Sequence, residues 1–267
     1  MKATANGIET YYEVHGREGA PWLVFSHSLA CSVRMWDGQI AAFKDRFRVL
    51  AYDTRGHGQS AAPNGPYTLE QLADDLHALL KHLNVSRPHY VGLSMGGMIG
   101  QTCALKYPGV FQSLALCDTT SRYPAAAAAM WQERIRIAES QGMKPLVQPT
   151  LERWFTEAFR KSRPEEVARV AAQIESTPVP GYAGCCHAIP KIDVTARLKE
   201  IKCPALVICG EDDPGTPPAM AREIHENLPG SALVLIPQAA HLSNIEQPEA
   251  FNRALAQFLS SPASARA

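Results

Sequence analysis

The side chains able to do covalent chemistry lie at three places far apart in this sequence. Gly92-Leu93-Ser94-Met95-Gly96 has the pattern G-x-S-x-G. It follows an apolar run at 89–93 directly and precedes a helix-like stretch at 97–107. A strand–turn–helix setting of this kind leaves a serine hydroxyl exposed at the tip of a sharp turn. That hydroxyl attacks a carbonyl only once a base takes its proton. Of the nine histidines, His241 is the candidate base, in Gln238-Ala239-Ala240-His241-Leu242, just past the last apolar run. His77, His82 and His225 fall in helical stretches with surface character. The imidazole needs a carboxylate to hold its tautomer. Asp212 and Asp213 follow the apolar run that ends at Cys209, and Asp118 follows an earlier one. Acyl transfer to Ser94, and then to water, is the chemistry these residue types support.

The elements that must position these groups are legible in the hydrophobic pattern. Short, near-continuous apolar runs occur at 22–25, 47–52, 89–93, 113–117, 205–209 and 232–236. Such runs predict strands covered on both faces. Asn6-Gly7 between two alternating segments predicts a type I′ hairpin over 2–14. Thr68 and Gln71 fit a capping box. Leu69, Leu72, Leu76, Leu79, Leu80 and Leu83 then repeat at helical spacing, which puts Asp74, Asp75, His77 and Lys81 on a solvated face. Alternating strands and helices imply a mostly parallel sheet with helices on both faces. The rhythm breaks between 120 and 190, where helices are expected at 125–141, 150–160 and 164–176, Pro164 suiting a first-turn position. The division that follows is a core of 1–119 and 191–267 with a helical lid, 120–190, inserted between its parts.

Composition narrows the class. The chain has 267 residues, 46% of them hydrophobic, with 26 basic and 26 acidic residues. A balanced charge with no basic run gives nucleic-acid binding no support. No apolar stretch suggests a signal peptide or a membrane span. Seven cysteines, an odd count without a CxxC pattern, point to free thiols in a reducing compartment, hence a cytoplasmic location. Cys185-Cys186 has no further His or Cys at ligand spacing nearby except His187, so no metal site is expected.

Taken together, these motifs resemble the α/β-hydrolase superfamily. The order Ser, Asp, His is that of the superfamily, and the resemblance favours Asp213 through Gly210, Asp213 and Thr216-Pro217. It also implies an oxyanion hole built from the backbone N–H groups of Met95 and Leu29, where His27-Ser28-Leu29 stands in place of the usual His-Gly. It gives Asp53-Thr54-Arg55-Gly56-His57-Gly58-Gln59-Ser60 a structural role and His27 that of a loop prop. More narrowly, the chain resembles the 3-oxoadipate enol-lactonases of bacterial aromatic catabolism (the β-ketoadipate pathway). This likeness is carried by Ser28-Leu29 with Arg34-Met35-Trp36-Asp37, by 181–189, and by His241-Leu242-Ser243-Asn244-Ile245-Glu246-Gln247-Pro248.

That resemblance implies a carboxylic-ester hydrolase without metal or organic cofactor, acting on a small lactone or ester. The lactone carries a carboxylate, for which Arg134, its neighbour Trp131 on the same helix, and Arg34 are the candidate contacts. Trp154 is expected in lid core, and Cys185-Cys186 in lid packing. Rival readings are a general carboxylesterase, a C–C bond hydrolase with the same triad, and a ligand receptor that kept the fold.

Overall fold

The computed structural model describes residues 1–261. In chain order the strands are β1 (Lys2–Ala5), β2 (Ile8–His15), β3 (Trp22–Ser26), β4 (Arg48–Tyr52), β5 (His89–Leu93), β6 (Ser113–Cys117), β7 (Ala205–Gly210) and β8 (Ala232–Ile236). They form one sheet in the order β1-β2-β4-β3-β5-β6-β7-β8. The first two pairings are antiparallel and the rest parallel. Asn6 and Gly7 both have positive φ, 49° and 74°, as a type I′ turn demands. β3, β5, β6 and β7 are buried almost throughout, whereas β8, at the sheet edge, is half-exposed.

The helices are α1 (Asp37–Phe43), α2 (Leu69–His82), α3 (Met95–Lys106), α4 (Ala127–Gln141), α5 (Lys144–Trp154), α6 (Glu157–Ser162), α7 (Pro164–Ser176), α8 (Val179–Ala188), α9 (Pro218–Asn227), α10 (Ser243–Glu246) and α11 (Pro248–Leu259). Helices α4 to α8 all fall between β6 and β7. The helix expected over 150–160 is in fact two. Phe155 is extended, at φ −133° and ψ 142°, and Thr156 caps α6 by accepting from the Phe159 N–H at 3.2 Å. Tertiary partners enforce the break. Leu242 N–H donates to the Trp154 carbonyl at 3.1 Å, and Thr156 N–H donates to Glu246 at 3.1 Å.

Asp75 is a second departure. The helical pattern assigns it to water, yet it is 5% exposed. The Arg55 guanidinium, from the turn after β4, donates to its two oxygens at 2.7 Å each, and Asn6 adds a third donor at 2.7 Å. A buried carboxylate is tolerable only with such partners. The pair ties the 53–60 turn to α2.

That turn is also fixed to β3 through histidine. Thr54 N–H donates to His27 Nε2 at 2.9 Å, and His27 Nδ1–H donates to the Ser28 carbonyl at 2.7 Å. His57 lies against it, ring centroids 5.3 Å apart. Both rings are fully buried. Burial lowers His27 from 6.5 to about 4; burial, and then the charge of His27, lower His57 to about 3. All seven cysteines are unpaired, six of them buried. Among the described residues no helix is long and apolar enough to cross a membrane.

Two outcomes follow for stability. Asp75→Asn leaves a guanidinium buried without its charge partner and is expected to cost about 3 kcal/mol. Urea unfolding reads this, and the double change Asp75→Leu with Arg55→Met recovers much of the loss. The histidines act through pH. Their folded values lie below 6.5, so the unfolded chain binds more protons between pH 6.5 and about 4. Their contribution is complete above pH 6.5 and is lost as pH falls through that window, on the order of 3 kcal/mol for His27 alone. Urea midpoints measured from pH 7.5 to 4.5 should fall accordingly, with the His27 ring remaining neutral by NMR at pH 5.

Candidate active site

Ser94 sits between β5 and α3 at φ 56° and ψ −115°, a strained conformation of the kind that concentrates at functional sites. The elbow is held from both sides. Ser94 N–H donates to the Cys117 carbonyl at 2.9 Å, and Thr119 Oγ donates to the Ser94 carbonyl at 2.7 Å. Close packing makes the turn possible, since a Cβ on Gly96 would stand 2.2 Å from the Ser26 carbonyl oxygen.

His241 enters from the loop after β8. Its Nε2 is 2.9 Å from Ser94 Oγ and its Nδ1 is 2.8 Å from Asp213 Oδ2. Nδ1–H therefore donates to the carboxylate, and Nε2 is left to accept from the serine. Asp213 is 2% exposed. Its Oδ1 accepts from Gly215 N–H at 2.7 Å and Thr216 N–H at 3.1 Å, and Oδ2 also accepts from Thr216 Oγ at 2.7 Å. Burial alone would push this carboxyl up. The charge and hydrogen bond of His241, with the Thr216 donors, outweigh it and hold Asp213 below the usual carboxylate range.

The competing aspartates stand elsewhere. Asp212 is exposed. Asp118 is fully buried but accepts from Gly210 N–H at 2.8 Å and Ser243 Oγ at 2.5 Å, and no hydrogen bond joins it to His241. Burial, and then the charge of Asp213, push its carboxyl well up. Asp118, Asp213 and Cys209 place ligand-type atoms within 4.8 Å of one another. Their donor set is a poor metal cradle. Both carboxylates are already accepting hydrogen bonds on each oxygen, and the Cys209 thiol, raised by burial, donates to the carbonyls of Gly210 and Thr216.

A small cavity of about 30 Å³ lies over Ser94, space for a water or two. Leu29, Trp131 and Arg134 border it together with Ser94 and His241, as do Ser28, Tyr123, Arg153 and Trp154. Trp154 is buried in the hydrophobic core as expected and also stacks on the imidazole, ring centroids 6.1 Å apart, so it walls the site as well. Arg153 and Tyr123 escaped sequence reasoning, because no local pattern distinguishes them from other surface-helix and loop residues. Arg134 lies over the Trp131 ring at 4.9 Å. Neither Arg134 nor Arg153 makes an ion pair among the described residues. Burial, and then the charge of Arg134, lower Arg153.

Arg34 is not at this site. It pairs with Glu13 and with Asp37, the latter at 3.1 Å, and borders a separate cavity of about 660 Å³ against α7 that none of Ser94, Asp213 or His241 reaches. The 3-10 turn Val33–Trp36 points its side chain outward while burying Val33, Met35 and Trp36.

Leu29 and Met95 flank the serine. The Ser28 carbonyl accepts from His27 Nδ1 and from Cys31 N–H at 3.2 Å. In a trans peptide the N–H points opposite to the carbonyl, so the Leu29 N–H is directed away from those two donors. Met95 opens α3, whose N-terminal N–H groups favour negative charge.

Residues 21–248 match the alpha/beta hydrolase fold family. The chain is 39% identical to 3-oxoadipate enol-lactonase 2 of Acinetobacter baylyi, over 94% of this chain and 93% of that protein. It is 31% identical to the putative carbamate hydrolase RutD of Agrobacterium fabrum, over 93% and 97%. Among solved structures it is similar to the enol-lactonase from Burkholderia xenovorans LB400, with a TM-score of 0.94, 39% identity, and coverage of 98% of this chain and 100% of that one. The serine, histidine and aspartate geometry and these likenesses agree: the chain belongs to the α/β-hydrolase fold family.

Proposed function

We propose that this chain is a serine hydrolase that opens the ring of 3-oxoadipate enol-lactone to give 3-oxoadipate. Ser94 is the nucleophile, His241 the base and Asp213 the acid that holds the imidazole. Ser94 Oγ gives its proton to His241 Nε2 and bonds to the lactone carbonyl carbon. The oxygen becomes an oxyanion facing the Leu29 and Met95 N–H groups. The ring C–O bond then breaks, and the leaving enol oxygen takes the proton from His241. Its conversion to a ketone makes reversal unfavourable. Water gives a proton to His241 and attacks the acyl carbon, and the ester bond to Ser94 breaks as the serine recovers that proton. The insertion carrying α4 to α8 is the lid. With so little space over Ser94, substrate entry requires that its wall move.

The observation that carries the substrate class is the pair of guanidiniums, Arg134 and Arg153, beside Ser94 without a carboxylate partner. Two like charges in a partly buried wall repel and are poorly solvated, so the arrangement favours an anionic ligand. A carbamate is the second reading, favoured by the likeness to the RutD proteins.

The test follows enol-lactone opening by ultraviolet absorbance, beside p-nitrophenyl acetate and a carbamate ester. Lactone turnover that disappears in Ser94→Ala supports the proposal. Turnover of the carbamate alone moves the substrate to that class, and turnover that survives Ser94→Ala removes the serine mechanism. Asp213→Asn is expected to lower kcat on the order of 10⁴-fold. Arg134→Ala and Arg153→Ala should each raise KM for the lactone about tenfold or more, the worth of a lost charge-assisted hydrogen bond, with little effect on the neutral ester.

A further inference from the structure

Ser28 is 1% exposed, borders the cavity over Ser94, and its Oγ has no hydrogen-bond partner. Thr54 Oγ, behind His27, is likewise unpartnered but does not border the cavity, whereas three other hydroxyls about the site are satisfied. Ser26 Oγ meets the Tyr52 hydroxyl at 2.9 Å, Thr119 Oγ the Ser94 carbonyl, and Thr216 Oγ the Asp213 carboxylate. A hydroxyl taken from water and given no acceptor destabilises the fold relative to alanine, so its presence calls for a reason. Packing does not supply one, since the Ser28 backbone is already anchored through its carbonyl to His27 and Cys31. With the backbone fixed, the hydroxyl retains only rotation about its own bonds. Ser28 also shares a peptide with Leu29, whose N–H faces the developing oxyanion in the proposed mechanism.

We infer that Ser28 is a further catalytic residue, whose Oγ–H donates to the substrate carbonyl oxygen as that oxygen turns anionic. The reading rests on the serine-hydrolase function proposed above. An oxyanion is a stronger acceptor than a neutral carbonyl oxygen, so the gain falls on the transition state and is read in kcat rather than KM. Stability is given up at this position for turnover, the signature of a functional polar group.

The discriminating experiment measures stability and kinetics on the same variants. Ser28→Ala should lower kcat for p-nitrophenyl acetate between tenfold and a hundredfold, leave KM within twofold, and keep or raise the urea midpoint. Binding of phenylboronic acid, which forms a tetrahedral adduct with the serine, should weaken in proportion to kcat/KM. Ser28→Cys keeps the shape with a much weaker donor and should repeat the kcat loss. It decides the matter if the alanine variant fails to fold. A kcat within twofold of the parent in both variants overturns the proposal, as expected if the hydroxyl only holds a water. A kcat loss matched by an equal loss of stability overturns it as well. Ser94→Ala is run in parallel. If it is inactive while Ser28→Ala is normal, only this inference fails; if it stays active, the hydrolase reading fails first.

Discussion

A carboxylate with almost no access to water, Asp213, governs the layout of the catalytic end of the sheet. Ionised and buried, it must be surrounded by donors. Three come from its own turn, the Gly215 N–H and the Thr216 N–H and hydroxyl, and the fourth is His241, 28 residues later. β7 and β8 run parallel with Gly210 beside Ile236, so the two following loops leave the sheet side by side. Their contact is close enough that a Cβ on Gly210 would stand 2.3 Å from the carbonyl oxygens of Ala239 and Ala240. The imidazole satisfies the carboxylate with one nitrogen and thereby presents the other to Ser94.

The short helix α10 secures this arrangement. Ser243 donates to Asp118, which in turn accepts from Gly210 N–H. Asn244 donates to the Met35 carbonyl and to Gln39. Glu246 accepts from Ala240 N–H at 2.9 Å and, through its other oxygen, from the Thr156 N–H and hydroxyl. Three of the four residues of α10 thus join the base loop to the acid loop, to the turn after β3 and to the α5–α6 junction. Intramolecular hydrogen bonds are each worth roughly 0.5–1.5 kcal/mol net, so displacement of any one segment would be felt at His241.

The cavity wall shows the opposite economy. Among the described residues Arg134 and Arg153 have no ion pair, Ser28 Oγ and Trp131 Nε1 have no hydrogen-bond partner, and Ser94 holds a strained backbone. Among the described residues other buried polar atoms also lack partners, Trp36 Nε1 and Thr54 Oγ for example, but the buried guanidinium of Arg55 is paired with Asp75. Two guanidiniums beside Ser94 without an ion pair are better explained by a ligand than by packing, because packing would gain from their removal.

The sequence alone determined the parts governed by local physics. Hydrophobic runs marked each parallel strand, Asn6-Gly7 the hairpin, Thr68 the start of α2, and the small residues about Ser94 the sharp turn. Loop positions after successive strands placed His241 and Asp213 at one end of the sheet, because parallel strands bring their following loops to a common edge. Tertiary structure decided the rest. Whether Asp75 faces water depended on Arg55, twenty residues away, and whether 150–160 is one helix depended on Leu242 and Glu246. It set Asp213 apart from Asp212, since only one of two adjacent side chains can turn inward to the imidazole. It also sent Arg34 to a different cavity and brought Arg153 and Trp154 to Ser94. Charge and residue type are written in the chain, but which partner lies within hydrogen-bonding reach is fixed only when distant segments pack.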